Sequence, residues 1–249
     1  MDKYFDQNSF DLRCEWGPEG VRRLAPSSDA VIIVDVFSFS TTVDLAVSRG
    51  AWVYPYGWRD ERSAEFARSV GAVLAVASRT DQVGFSLAPR SMLRLQPGMR
   101  IVLPSPNGAA LSILTSTVPT FAGCLRNASA VARAAAALGP RISVIPAGER
   151  WPDGSLRPAL EDLLGAGAVL HGLASLLPGS LSPEAEAAAA LFLRFRERLP
   201  EVLAAVGSGV EAADRGSPED VALAADLDAS ASAPRLLDGV YRAAANPGG

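Results

Sequence analysis

Histidine is nearly absent from this chain: His171 is the only one in 249 residues. It stands in an apolar, helix-patterned stretch and reads as a packed side chain rather than a catalytic one. Cysteine is scarce as well. Cys14 and Cys124 lie far apart and fit neither a C-x-x-C pair nor a Cys/His ligand spacing, which argues against a zinc site or a disulfide scaffold. Metal or acid-base chemistry here has to run on carboxylates.

Long apolar runs are missing too. A membrane span needs roughly 20 such residues, and the best stretch, Ala159–Leu177, is broken by Glu161, Asp162 and His171. The opening MDKYFDQNSFDL has no apolar core of a secretion signal, so a cytoplasmic protein with no membrane partner is expected. The net charge is -4 and the arginines are scattered, so no basic stripe marks a nucleic-acid groove. There is no internal repeat and no long linker. The expectation is one α/β domain over the whole chain, the alternative being two lobes, sheet-rich over about 1–150 and helix-rich beyond.

What is present is alternation. Apolar runs at Ala30–Val36, Ala51–Tyr54, Ala72–Val76, Arg100–Leu103, Thr120–Ala122 and Arg141–Pro146 read as buried strands of a largely parallel or mixed sheet. Helical patterns lie between them: Thr41–Arg49 with Ser40 as N-cap, Glu61–Val70 capped by Asp60, one after Asn107-Gly108, and Ala128–Leu138 after Asn127. Further on come Ala159–Leu176, Pro183–Leu199, Ala204–Gly216 and Pro218–Ala225. The pattern predicts a three-layer α/β/α fold with a helical C-terminal part.

The segment AVIIVDVFSFSTT, residues 30–42, sets Asp35 at the end of a buried strand, before the hydroxyls of Ser40, Thr41 and Thr42 at a helix start. A carboxylate there faces the crevice where α/β sheets bind ligands, and a helix start suits an anion. A cap with Asp35 bonded to loop amides is the plainer alternative. A haloacid-dehalogenase-type phosphatase is rejected, because Phe37 stands where its second Asp belongs. Three further strand-to-helix junctions supply polar groups: Asn107-Gly108, Arg126-Asn127, and the run from Glu149 to Glu161-Asp162. Together they predict a pocket for an anionic ligand with hard oxygen donors suited to Mg²⁺.

At these residues the chain resembles the 2-phosphosulfolactate phosphatase family. DVFSFSTT, SPNGAAL, RNASAVA, PAGE…LEDLLGAGAVL and the segment from Ser208 to Leu236 match its motifs in order. The resemblance implies an α/β sandwich-like enzyme fold and Mg²⁺-dependent hydrolysis of (2R)-phosphosulfolactate, a step of coenzyme M biosynthesis. The chain departs from the family's pattern at Ser38, where the family has Arg, and at Ser78, Ser86 and Ala109, with Arg79 and Arg90 as candidate replacements.

Two functions follow. In the first, Asp35 with Glu161 or Asp162 holds Mg²⁺ and Glu149 is the general base. Ser40, Thr41, Thr42, Asn107, Gly108 and Asn127 bind the phosphate, with Arg126 neutralising its charge. In the second, a diverged member binds a small anionic metabolite without turnover. A homodimer through the Ala-rich helices is compatible with either.

Overall fold

The computed structural model describes residues 3–58, 60–76 and 84–244. The first part of the chain gives β1 (Leu12–Cys14), α1 (Gly17–Leu24), β2 (Ala30–Val34), α2 (Phe39–Ser48), β3 (Trp52–Tyr56), α3 (Glu61–Ser69) and β4 (Val73–Leu74). The middle gives β5 (Arg100–Pro104), α4 (Gly108–Leu114), β6 (Thr120–Gly123), α5 (Ala128–Ala136) and β7 (Ile142–Pro146), then a small hairpin, β8 (Glu149–Arg150) and β9 (Leu156–Arg157). Five helices follow: α6 (Leu160–Leu176), α7 (Pro183–Phe195), α8 (Leu199–Ala205), α9 (Gly207–Asp214) and α10 (Pro218–Ala225). Strands β10 (Pro234–Leu237) and β11 (Val240–Ala243) close the described chain.

Nine strands form one mixed sheet in the order β1-β7-β2-β6-β10-β11-β3-β5-β4. β1, β7, β2 and β6 are mutually parallel, as are β3, β5 and β4. The β10–β11 hairpin lies between the two sets and pairs antiparallel with both, so the sets point in opposite directions. Two strands from the helix-rich C-terminal part thus complete the middle of the sheet.

Strand β2 is apolar throughout because both its faces are covered. Ile32 and Val34 pack with Phe121, Val144 and the inner sides of α5 and α6. Val31 and Ile33 face the other way, onto α1, Leu111 of α4 and Ile145. A third cluster joins α2 to Val53, Ile101, Leu103 and Tyr241. Helices α6 and α7 approach closely. A Cβ at Gly167 would lie 2.1 Å from the Ala188 carbonyl oxygen, so only glycine fits there. Among the described residues no helix is long and apolar enough to cross a membrane.

Several expected boundaries shift. Helix α2 begins at Phe39 rather than Thr41, and its N-cap is Ser38, not Ser40. The single helix expected over Ala204–Gly216 is two, α8 and α9, because the chain turns extended at Val206. Asp60 caps α3 as expected, accepting the Ser63 amide.

Candidate active site

Asp35 follows β2 directly and is buried. Its Oδ1 accepts the Phe39 amide at 3.0 Å and its Oδ2 the Gly108 amide at 2.9 Å. The Asp35 amide donates to Ser40 Oγ, whose hydroxyl in turn donates to the Ile33 carbonyl. Ser40 is therefore a brace for the turn, which is why it does not cap α2. Gly108 has no alternative: a Cβ there would lie 2.4 Å from the Phe39 ring and 2.8 Å from Asp35 Oδ2.

The start of α6 brings two more carboxylates. Asp162 is buried, with Oδ1 accepting the Val36 amide at 2.7 Å and Oδ2 the Gly148 amide at 2.9 Å. It clasps the turn after β2 to the turn after β7. Burial, then Asp35 and Glu161, push its acid well above the usual carboxylate range. Glu161 is buried beside it at 2% exposure, and among the described residues no hydrogen bond or ion pair reaches its carboxylate.

Glu149 opens the β8–β9 hairpin, whose register sets it opposite Arg157. Its Oε2 accepts from Asn107 Nδ2 at 2.9 Å. Burial and the nearby Asp35 push the Glu149 carboxyl up to about 7; Glu161 adds to this, and Asn107 and Arg157 oppose it. A carboxyl that titrates near neutrality can exchange protons with a substrate at ordinary pH.

Two cavities meet at Glu149 and Arg150. One, of about 560 Å³, is faced by Trp16, Leu111, Leu114 and Leu156. The other, of about 350 Å³, is faced by Arg157, Ser208, Glu211 and Arg215.

Four carboxylates, Asp35, Glu149, Glu161 and Asp162, thus act on one another across converging turns. Their hard oxygen donors are of the class Mg²⁺ takes. Glu161 in particular is buried without a hydrogen-bond or ion-pair partner among the described residues. Among the described residues, no three His, Cys, Asp or Glu side chains are drawn close enough to hold a metal ion between them.

The other expected ligands make contacts within the scaffold. Thr41 Oγ1 donates to the Val36 carbonyl and Thr42 Oγ1 to that of Leu87. Asn127 accepts the Cys124 amide and donates to the Ala122 carbonyl. Arg126 is engaged by Asp44, Asp226 and the Leu223 carbonyl. Arg90 pairs with Glu219 and Asp220 on α10, Ser86 caps a turn at Ala88, and Ala109 is buried. Ser38 is buried with an unpartnered hydroxyl. Ser78 and Arg79 lie outside the described residues. His171 packs near Phe192, and both cysteines are buried and free.

Among the described residues, the arginines that line the cavity of about 350 Å³ are Arg150, Arg157 and Arg215, none of them singled out in the sequence. The signal for two of them was legible: the Asp153-Gly154 pair in WPDGSLR marks a turn that folds Arg157 back onto Glu149.

The sequence model of one protein family, described as 2-phosphosulpholactate phosphatase, matches residues 18–239. No curated protein matches the chain.

Proposed function

The chain belongs to the 2-phosphosulpholactate phosphatase family, a family of phosphoric monoester hydrolases, and on that premise we propose that it hydrolyses a small anionic phosphomonoester at the Asp35–Glu149–Glu161–Asp162 cluster. The substrate is 2-phosphosulfolactate or a related phosphorylated hydroxy acid. The observation that carries this reading is Glu149: a carboxyl held at about 7, aimed by Asn107, at the junction of two cavities.

In hydrolysis a water oxygen attacks phosphorus and the phosphorus–ester oxygen bond breaks. Glu149 takes the proton of the attacking water, and a proton returns to the departing alkoxide, leaving an alcohol and inorganic phosphate. Asp35 and Asp162 fix the turns that carry Gly108, Asn107, Val36 and Gly148, so the groups around the reacting centre are held before substrate arrives. Four carboxylates would repel a phosphate dianion, and the cation they call for is Mg²⁺, which Glu161 and Asp35 would hold. Bound there, Mg²⁺ would supply charge neutralisation and Lewis acidity. The side chains of Ser40, Thr41, Thr42, Arg126 and Asn127 are left out of the chemistry, because the scaffold engages them.

The test is phosphate release from 2-phosphosulfolactate and a panel of small phosphomonoesters, with Mg²⁺ and with chelator. Release that needs Mg²⁺ and is lost in Asp35→Asn is expected. Folded protein that releases no phosphate across the panel, yet is raised in melting temperature by Mg²⁺ with phosphate, would instead be a non-catalytic binder of an anionic metabolite.

A further inference from the structure

The cleft of about 350 Å³ beside Glu149 has a makeup that cleavage of a phosphate ester alone does not require. Arg150 and Arg157 from the β8–β9 hairpin and Arg215 just past α9 line it, against Glu149 and Glu211. Three arginines line this cleft in a chain whose net charge is -4. The companion cavity on the far side of Glu149 is faced largely by apolar side chains.

The contacts of these arginines leave much of each donor fork for a ligand. Arg157 donates to Ser208 Oγ at 3.1 Å and lies over the Trp151 ring. Arg215 pairs with Glu211 one turn back on α9. Arg150 reaches the Gly154 and Pro106 carbonyls. Arg150 and Arg215 are exposed and Arg157 is half-buried, so an entering anion meets them without displacing core structure.

We infer that this cleft is the specificity subsite, in which Arg157 and Arg215 take a second anionic group, a carboxylate or sulfonate, on the carbon skeleton of the substrate. The inference rests on the phosphatase reading above. Guanidinium pairs with such groups through two parallel hydrogen bonds, which gives geometric selection as well as charge. A monoester with an uncharged leaving group leaves the subsite empty. Glu211 competes with the ligand for Arg215, so the two residues act in opposite senses.

Three substrates separate the contributions: 2-phosphosulfolactate carries carboxylate and sulfonate, 2-phospholactate only carboxylate, and 4-nitrophenyl phosphate neither. Relative to 4-nitrophenyl phosphate, Arg215→Gln should lower kcat/KM for the anionic substrates by about tenfold, mainly through KM. Glu211→Gln should move the same ratio upward. A loss confined to 2-phosphosulfolactate assigns the sulfonate to Arg215; a loss shared with 2-phospholactate assigns the carboxylate. Equal losses on all three substrates would make Arg215 merely structural and overturn the subsite alone. A separate arm measures binding of sulfolactate, the dephosphorylated product, by calorimetry to wild type and Arg215→Gln. If no ester is hydrolysed but sulfolactate binds wild type, and about tenfold less tightly to Arg215→Gln, the subsite stands and the phosphatase reading falls. No hydrolysis with equal or absent sulfolactate binding overturns both.

Discussion

Asp35 and Gly108 stand on turns that follow β2 and β5, strands separated in the sheet by four others, yet Asp35 Oδ2 accepts the Gly108 amide at 2.9 Å. The same carboxylate holds Phe39 with its other oxygen, so one side chain fixes two turns drawn from oppositely directed halves of the sheet. The bond requires a backbone with no Cβ. Gly108→Ala would drive a methyl group into the Phe39 ring and Asp35 itself. We expect a loss of about 1–3 kcal/mol in urea unfolding, the usual cost of overpacking, together with a fall in kcat as Asn107 and Asp35 are moved apart. Unchanged kcat in this variant would show that the pinned geometry is not needed for turnover.

Glu149 couples activity to pH. Acting as a base, it should make kcat/KM rise with pH and level off once its carboxyl has ionised, at about 7 with Asp35 and Glu161 uncompensated and lower where Mg²⁺ offsets their charge. Glu149→Gln should remove this limb and lower kcat by about 10²–10⁴-fold. Stability should change in the opposite sense. Between pH 4.5 and about 7 folded Glu149 holds a proton that the unfolded chain has released, so its contribution falls as pH rises through that window. At pH 8 the Gln variant should therefore be more stable than wild type by about 2–3 kcal/mol. The gap should close below pH 4.5, which urea titrations at several pH values will show.

Much of this arrangement was legible beforehand, and the failures have physical causes. Asp35 stands out at the end of AVIIVDV because a carboxylate closing a buried apolar strand has to be bonded, and its two oxygens accept the Phe39 and Gly108 amides, as the plainer alternative has it. The same reasoning failed for β1, whose LRC segment buries Arg13 among Ser27, Ser28 and the Leu24 carbonyl, and a charge inside a strand breaks the apolar signal. The β10–β11 hairpin carried its own marker in Asp238-Gly239, both at positive φ. It is not among the strands the apolar runs predict, because PRLLDGVYRA is interrupted by charges on both sides of the turn. The carbonyl partners of the Thr41 and Thr42 hydroxyls were not legible, because such partners are set by tertiary contact. Arg215 lies inside the Ser208–Leu236 segment, but nothing in that segment's local pattern tells that it lines the cleft, which is set by tertiary packing.

Asp162 is a strut whose two oxygens each hold a buried amide. Asp162→Ala should leave the Val36 and Gly148 amides without acceptors, each costing about 1–3 kcal/mol. Asp162→Asn keeps one acceptor but turns an NH₂ group toward the other amide, so it should fall between alanine and wild type. Hydrogen exchange at Val36 and Gly148 provides the local measurement. Exchange rates unchanged in the alanine variant would rule out the strut.

Arg126 separates scaffold from chemistry. Its guanidinium meets Asp44, which is fully buried, at 3.2 Å, while Ser230 donates to the other Asp44 oxygen at 2.6 Å. This clasp ties the loop before β10 to α2. Arg126→Met would strand the Asp44 charge and should cost about 3–5 kcal/mol, with part of the loss recovered by adding Asp44→Asn. A phosphate-binding arginine would behave differently, raising KM in every background and gaining nothing from the second substitution. We expect the folded fraction of Arg126→Met/Asp44→Asn to keep the wild-type KM. A KM that stays high in the double variant would return Arg126 to the substrate site.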